Sequence, residues 1–323
     1  MDASAGSTSA VSSFEVVPRG PFSLAAAADF AGGFPAGIGG GGVDAEPGAS
    51  SRTRLVMAFP VEGWAGSAAV GLSQGADDEP VHGRVTGVDP DAARVQALRA
   101  VSLDHDGRGW ADVGRRDPVI GRLQAEHRYL RPVCFYSAYE AATSFVIGQR
   151  IARRQGARIK EWLGEQAGDR IELDGRTFVA FPRPQRLLEI RDAPGLPAEK
   201  IARLHGLAQA ALDGRLDTER LRSLPTPEAL AELRELRGVG PFTAAGILLR
   251  GCGVADEIPA EDGLTRTAVA DLYGLPEPLG DAAFDEITDR WRPFRMWAIV
   301  LLRVGWGRSR PNASYRRETR PRS

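Results

Sequence analysis

PEALAELRELRGVGPFTAAGILLR (227–250) sets the architecture of the chain: two amphipathic helices joined by Leu236-Arg237-Gly238-Val239-Gly240-Pro241. Gly238 and Gly240 open backbone conformations closed to other residues. Pro241 suits the first turn of the second helix, where its missing N–H would have no partner anyway. The turn therefore presents amides at a helix N-terminus, where N–H donors and the positive end of the helix dipole point outward together and suit a phosphate. Thr243 is placed to support that contact with its hydroxyl, while Leu236 and Val239 hold the two helices together from inside.

Outward from this turn, the second half of the chain is predicted to be helical. Apolar residues at helical spacing recur in 117–127, 137–149, 151–167, 184–191, 197–212, 227–236, 241–250, 262–273, 281–291 and 294–304, with Pro or Gly between most of them. One interruption, IELDGRTFVAF (171–181), carries an Asp-Gly turn and is expected to be a β-hairpin. The first half differs. FEVVP (14–18), TRLVMAFPV (53–61), GSAAVGLS (66–73) and EPVHGRVTGV (79–88) are strand candidates; PFSLAAAADFAG (21–32) is a helix candidate, and Asp89 caps another over Pro90 to Val101. The expected fold class is α+β: a small N-terminal antiparallel sheet with helices over 14–116, then an all-α domain over 117–306. Residues 1–13, small and polar, are expected to be disordered, and 307–323 to form a basic C-terminal tail. A GxGxxG match at 37–42 has a helix before it and Asp-Ala-Glu-Pro after it, the wrong context for a dinucleotide site, and reads as a loop.

Composition removes several chemistries. Cys134 and Cys252 are too few for a four-thiolate zinc or iron–sulfur site, and His82, His105, His127 and His205 show no ligand spacing, so no metal site is expected. No stretch approaches the roughly 18 apolar residues of a membrane helix, and the first residues lack the order of a secretory signal. The chain is expected to be cytoplasmic. Its net charge is only −1, but residues 1–106 hold 13 acidic and 6 basic side chains, whereas 141–160 carries Arg150, Arg153, Arg154, Arg158 and Lys160 with no acid. Residues 287–323 carry 10 arginines against Asp289 and Glu318. Such local basic charge is the footprint of a phosphate-facing surface, or else a solvated helix face and a frayed tail.

LRGVGPFTA (236–244) resembles the helix-hairpin-helix element of the DNA glycosylase superfamily. The similarity continues without a gap into IPAEDGLTRTAVADLYG (258–274), where that superfamily carries its catalytic aspartate. PVCFYSAYEAATSFVIGQRIA (132–152), GLPAEKIARLHGLAQAALDG (195–214) and DRWRPFRMWAIVLLR (289–303) resemble blocks of the DNA-3-methyladenine glycosylase II family. The resemblance spans about residues 14–306 and is weakest before 117. It implies a helix-hairpin-helix glycosylase domain after the sheet unit, damaged double-stranded DNA as partner, nucleoid association, and no cofactor beyond a monovalent cation on carbonyls of the hairpin turn.

Cleaving an N-glycosidic bond in duplex DNA requires a flipped base, charge stabilisation at the sugar and a delivered water. By spacing alone, Asp262 or Glu261 reads as the cap of the 262–273 helix. The resemblance assigns Asp262 the catalytic role, facing the oxocarbenium-like sugar and the attacking water, and both roles can coexist. Relatives that also cut the strand carry a lysine where this chain has Phe242, and that amine forms a Schiff base with the sugar. Phenylalanine has no amine, so a monofunctional, water-using enzyme without lyase activity is expected. Phe242, Phe294, Trp297 and Arg303 are the base-pocket candidates; Trp291, Phe294 and Trp297 read equally as core by their helical spacing. Arg303 replaces a stacking tryptophan of the family and sits awkwardly beside a cationic methylpurine. Gly238, Val239, Gly240, Thr243, Gln149, Arg150, Arg153 and Arg154 are the DNA-binding candidates, with Arg150 either the wedge that fills the vacated stack or a surface arginine.

The expected function is thus removal of alkylated purines, of the 3-methyladenine and 7-methylguanine type, in base excision repair by a monomer. A non-catalytic helix-hairpin-helix DNA-binding protein and a glycosylase for another lesion are the alternatives.

Overall fold

Strands β1 (Ser12–Val16), β2 (Thr53–Pro60), β3 (Ser67–Gln74) and β4 (Val81–Gly87) form an antiparallel sheet in the order β1-β4-β3-β2 in the computed structural model, which describes residues 11–33, 52–128, 130–258 and 263–309. The glycine match at 37–42 lies outside these residues. Leu55, Met57 and Phe59 pair with Leu72, Val70 and Ala68, and together they face helices α1 (Leu24–Gly33) and α2 (Pro90–Ala100). Asp89 caps α2 as expected, accepting from the Ala92 amide at 3.1 Å. The alternate residues Val56, Ala58 and Ala69 are buried as well, beneath Ile171, Leu173 and Phe178 of the hairpin β5 (Arg170–Leu173) and β6 (Arg176–Val179). A sheet covered on both faces explains why LVMAFP is apolar throughout instead of alternating. Gly83 opposes Phe14, whose ring fills the space a side chain would occupy.

β1 begins earlier than anticipated: Ser12 and Ser13, expected to be disordered, pair with Val85 and Arg84. The open edge of β4 offers backbone partners that a polar composition does not reveal.

The helices follow as α3 (Trp110–Arg116), α4 (Pro118–Glu126), α5 (Ala138–Gly148), α6 (Arg153–Ala167), α7 (Pro184–Leu187), α8 (Ala198–Leu212), α9 (Thr218–Ser223) and α10 (Thr226–Arg234). After them come α11 (Pro241–Gly246), a π-helical turn (Ile247–Gly251), α12 (Gly263–Tyr273), α13 (Asp281–Asp289) and α14 (Arg295–Ser309). Two short helices escape the periodicity. In α3, Trp110 and Val113 join the core of Trp291 and Trp297, so helical packing starts before Asp117. α9 is opened by Asp217, which accepts from the Arg220 amide at 2.7 Å. The segment predicted as one helix over 241–250 widens after Gly246, with the Cys252 amide donating to the Ile247 carbonyl at 2.9 Å.

Buried arginines tie the sheet unit to the helices. Arg99, 1% exposed, donates to Glu62 at 2.6 Å, to Glu219 at 2.9 Å and to the Tyr136 carbonyl at 3.0 Å. Arg131 gathers the carbonyls of Arg19, Gly20, Pro21 and Ser102 while lying 5.3 Å from the Trp297 ring centre. Among the described residues, no helix is long and apolar enough to cross a membrane, and no cluster of three or more His, Cys, Asp or Glu is placed to hold a metal.

Candidate active site

The hairpin turn between α10 and α11 is held by local bonds. The Leu236 amide donates to the Leu233 carbonyl at 3.2 Å, and the Val239 amide to the Leu236 carbonyl at 3.0 Å. Leu236 and Val239 are buried in the core cluster, as expected, so Val239 offers its surroundings only backbone. Gly238 has φ +89°, a left-handed conformation that favours glycine, and a side chain there would also strike Arg203. Gly240 differs from the expectation. Its φ of −88° and ψ of 179° are open to any residue, and a Cβ would meet nothing within 4 Å. Its missing side chain keeps the outer face of the turn bare rather than permitting the turn itself.

A second turn lies against the first. After α5, Gln149 donates from Nε2 to the Gly238 carbonyl at 2.9 Å and accepts at Oε1 from Arg203 at 3.1 Å. Lys200 donates to the Ile147 and Gln149 carbonyls at 2.9 and 2.6 Å. Burial, then the neighbouring Arg203 charge, pull the Lys200 ammonium below its ordinary pKa. Gln149 is therefore a link between the two turns, with both ends of its amide engaged inside the protein. Next to it, Arg150 is exposed with φ +58°, and Arg153 and Arg154 are exposed in the first turn of α6. None of these three is ion-paired among the described residues. Lys160 departs from the basic surface on which it was counted: it is 9% exposed and bonded to Glu140 at 3.1 Å.

Between these turns and α14 runs a groove of about 1130 Å³. Phe242, 54% exposed, stands on its wall at 6.2 Å and a right angle to Phe145, which in turn lies 5.7 Å from Phe135. Thr243 is buried and also lines the groove, one helical face away from the outer side of the turn. The opposite wall is the α14 face of Met296, Ile299, Val300 and Arg303, continuing to Trp306, with Arg250 alongside. Burial chiefly, and the like charge of Arg303 in addition, pull the Arg250 guanidinium down from its ordinary pKa against the opposing effect of Cys134. Leu264, in the first turn of α12, lines the groove. Asp262, the catalytic candidate, and Glu261 lie outside the described residues.

Phe294 and Trp297 do not reach this groove. They are 5% and 0% exposed, with ring centres 4.7 Å apart at a 40° tilt, and both meet Trp110 edge-on, because this end of α14 turns toward α3 and α4. The core alternative for these two residues and for Trp291, whose Nε1 donates to buried Asp117 at 3.1 Å, is the one realised. Among the groove-lining residues that sequence reasoning missed are Phe135, Ser144, Phe145, Lys160, Arg250 and Trp306. The helical spacing of 141, 145 and 148 on α5 was a usable signal for Phe145; nothing local pointed to the others.

No family model matches the chain. DNA-3-methyladenine glycosylase 2 of Escherichia coli is 27% identical over 196 residues, which are 58% of this chain and 65% of that protein. DNA-3-methyladenine glycosylase of Bacillus subtilis is 26% identical over 205 residues, 62% of this chain and 67% of that protein. The matched part thus spans about two thirds of the length of these relatives. Among solved structures, the 3-methyladenine DNA-glycosylase of Archaeoglobus fulgidus superposes with a TM-score of 0.73 at 19% identity, covering 92% of this chain and 99% of that one. An 8-oxoguanine glycosylase/lyase of Clostridium acetobutylicum gives a TM-score of 0.59 at 19% identity, over 83% and 90% of the two chains.

The sheet unit followed by helices built around the hairpin is the helix-hairpin-helix DNA glycosylase fold. The sequence relatives are DNA-3-methyladenine glycosylases, to which the chain is similar over 58–62% of its length.

Proposed function

We propose that this chain is a monofunctional DNA glycosylase that binds damaged duplex DNA as a monomer, turns an alkylated purine of the 3-methyladenine or 7-methylguanine type out of the stack, and hydrolyses its N-glycosidic bond to leave an abasic site. The observation that carries the reading is the junction of three features: the bare hairpin turn, the arginine-bearing turn locked to it through Gln149, and a groove with Phe242 on its wall.

The turn at 238–240 grips a phosphate through backbone amides and the N-terminus of α11, and Arg153 and Arg154 add nonspecific backbone affinity. Arg150, exposed just after α5, fills the gap left by the departing base. Flipping costs roughly a few kcal/mol and least for a damaged pair, so the weaker pairing of a lesion is itself selective. In the groove the base stacks on Phe242. The Asp262 carboxylate stabilises the positive charge that develops on the sugar and orients the attacking water. A monovalent cation on the hairpin would add positive charge beside the phosphate. The Leu236 and Gly238 carbonyls each already accept one hydrogen bond and keep one lone pair for it, and no step depends on it.

Hydrolysis without strand cleavage is supported by the surroundings of both lysines. Lys160 reaches the groove but its ammonium is bonded to Glu140, and Lys200 donates to two carbonyls, so neither presents a lone pair to a sugar carbon. A glycosylase for another lesion remains the second reading because Arg303 stands on the groove wall.

The test is release of free base from methylated DNA. Wild-type protein should release methylpurine, and Asp262→Asn should reduce the rate by at least about 100-fold, the scale of a lost electrostatic contact in the transition state. Binding of damaged or abasic duplex with no base released by the wild type would leave only a DNA-binding protein. Strand breaks appearing without heat or alkali would contradict the monofunctional assignment.

A further inference from the structure

Lys160, Glu140 and Ser144 form a polar cluster with no part in the steps above. Lys160 on α6 lines the groove; its ammonium is 3.1 Å from Glu140 Oε1 and sits 5.7 and 5.8 Å from the ring centres of Phe135 and Phe181. Glu140 on α5 is 3% exposed, and its second oxygen, Oε2, is buried without a hydrogen-bond partner. One helical turn further along α5, Ser144 lines the groove with its hydroxyl likewise buried and unpartnered. Burying an ion pair among aromatic rings while leaving two polar atoms unsatisfied is unfavourable, and an apolar pair of the same volume would hold α5 against α6 as well. The cluster stands at the aromatic end of the groove, where Phe145 and Phe242 also stand.

We propose that Lys160, positioned by Glu140 and assisted by Ser144, is the specificity-determining residue of the groove, reading a carbonyl at the 6-position of the extruded purine. This inference rests on the glycosylase reading. Guanine-type and hypoxanthine-type bases place a carbonyl acceptor at that edge, which an ammonium or hydroxyl donor satisfies. Adenine-type bases place an amino group there, and two donors then face each other with neither satisfied. Glu140 has its own part in the selection. A methylated purine is a cation that a lone lysine would repel, whereas the Glu140–Lys160 pair presents a donor with no net charge. The pair therefore tolerates a cationic ring while discriminating at its edge.

Randomly methylated DNA supplies the test, since 7-methylguanine and 3-methyladenine released by one protein sample form a ratio that partial unfolding does not move. The double variant Lys160→Met with Glu140→Leu removes the pair without leaving a buried orphan charge, and is expected to lower that ratio about tenfold, the low end for a lost hydrogen bond to a charged group. A duplex with a single hypoxanthine should follow 7-methylguanine. Glu140→Gln alone should depress the cationic 7-methylguanine relative to neutral hypoxanthine, and thermal melting of each variant reports its folding. Equal loss of both methylated bases, or no change in the ratio, would overturn the proposal and leave the pair a packing device. If the wild type releases neither base, the glycosylase reading fails first and takes this inference with it. If the wild type releases both and only the ratio is unmoved, the inference alone fails.

Discussion

Arginines serve two opposite purposes in different regions of this molecule. Arg99 and Arg131 are almost fully buried where the sheet unit meets the helices, each surrounded by carbonyl or carboxylate oxygens from distant parts of the chain. Arg150, Arg153 and Arg154 crowd one exposed turn and its following helix, with no ion-pair partner among the described residues. A guanidinium removed from water must have its donors matched, and once matched it fastens segments together. Left in water beside other guanidiniums, it contributes little to the fold and presents charge to an anion. The same side chain thus divides into scaffold and contact surface according to what the tertiary fold brings next to it.

The comparison can be broken most severely at Arg99. Arg99→Met strands Glu62 and removes the donor to the Tyr136 carbonyl, and should cost about 3–5 kcal/mol in a urea unfolding experiment, the range for a severed buried pair. A loss below about 1 kcal/mol would mean that the buried arginine is no scaffold. The reverse pattern is expected when Arg150, Arg153 and Arg154 are changed together to Ala. Stability should move by no more than about 0.5 kcal/mol per site. The slope of log affinity against log salt should flatten by roughly 2, about 0.9 for each of the two phosphate contacts made by Arg153 and Arg154. An unchanged slope would show these arginines facing away from the strand. Phe242→Ala sharpens the division between stability and function at a single exposed ring. Melting should be nearly unaffected because the side chain is half exposed, while base release should fall about tenfold, at the lower end of what one stacking contact is worth. A large drop in melting temperature would instead make Phe242 a packing residue for Phe145.

The legible part of the fold was local. Helical spacing located α5, α8 and α12 closely, the Asp-Gly turn marked β5 and β6, and Asp89 and Pro90 opened α2 where anticipated. α3 and α9 were lost because six or seven residues show too little periodicity. In the candidate site, Gly238 and Phe242 are legible from the turn and its neighbour, whereas the engagement of the Gln149 amide by Gly238 and Arg203 is not, because both partners are distant in the chain. The burial of Phe294 and Trp297 is not legible either, since helical spacing groups residues on one face without stating which element that face meets.

Sequence alone determined the ordering of sheet unit and helices, the left-handed glycine of the hairpin, and the phenylalanine that directly follows its Gly-Val-Gly-Pro turn. These depend on residues within a few positions of one another, where backbone sterics and side-chain chemistry act directly. The tertiary structure decided the rest: that the second-half hairpin seals the outer face of the sheet, that Lys160 leaves the basic surface for a buried partner, and that α14 turns Met296, Ile299, Val300, Arg303 and Trp306 to the groove while Trp297 packs into the core. Burial and ion pairing arise from contacts between segments far apart in the chain, so they are set only once the helices have packed.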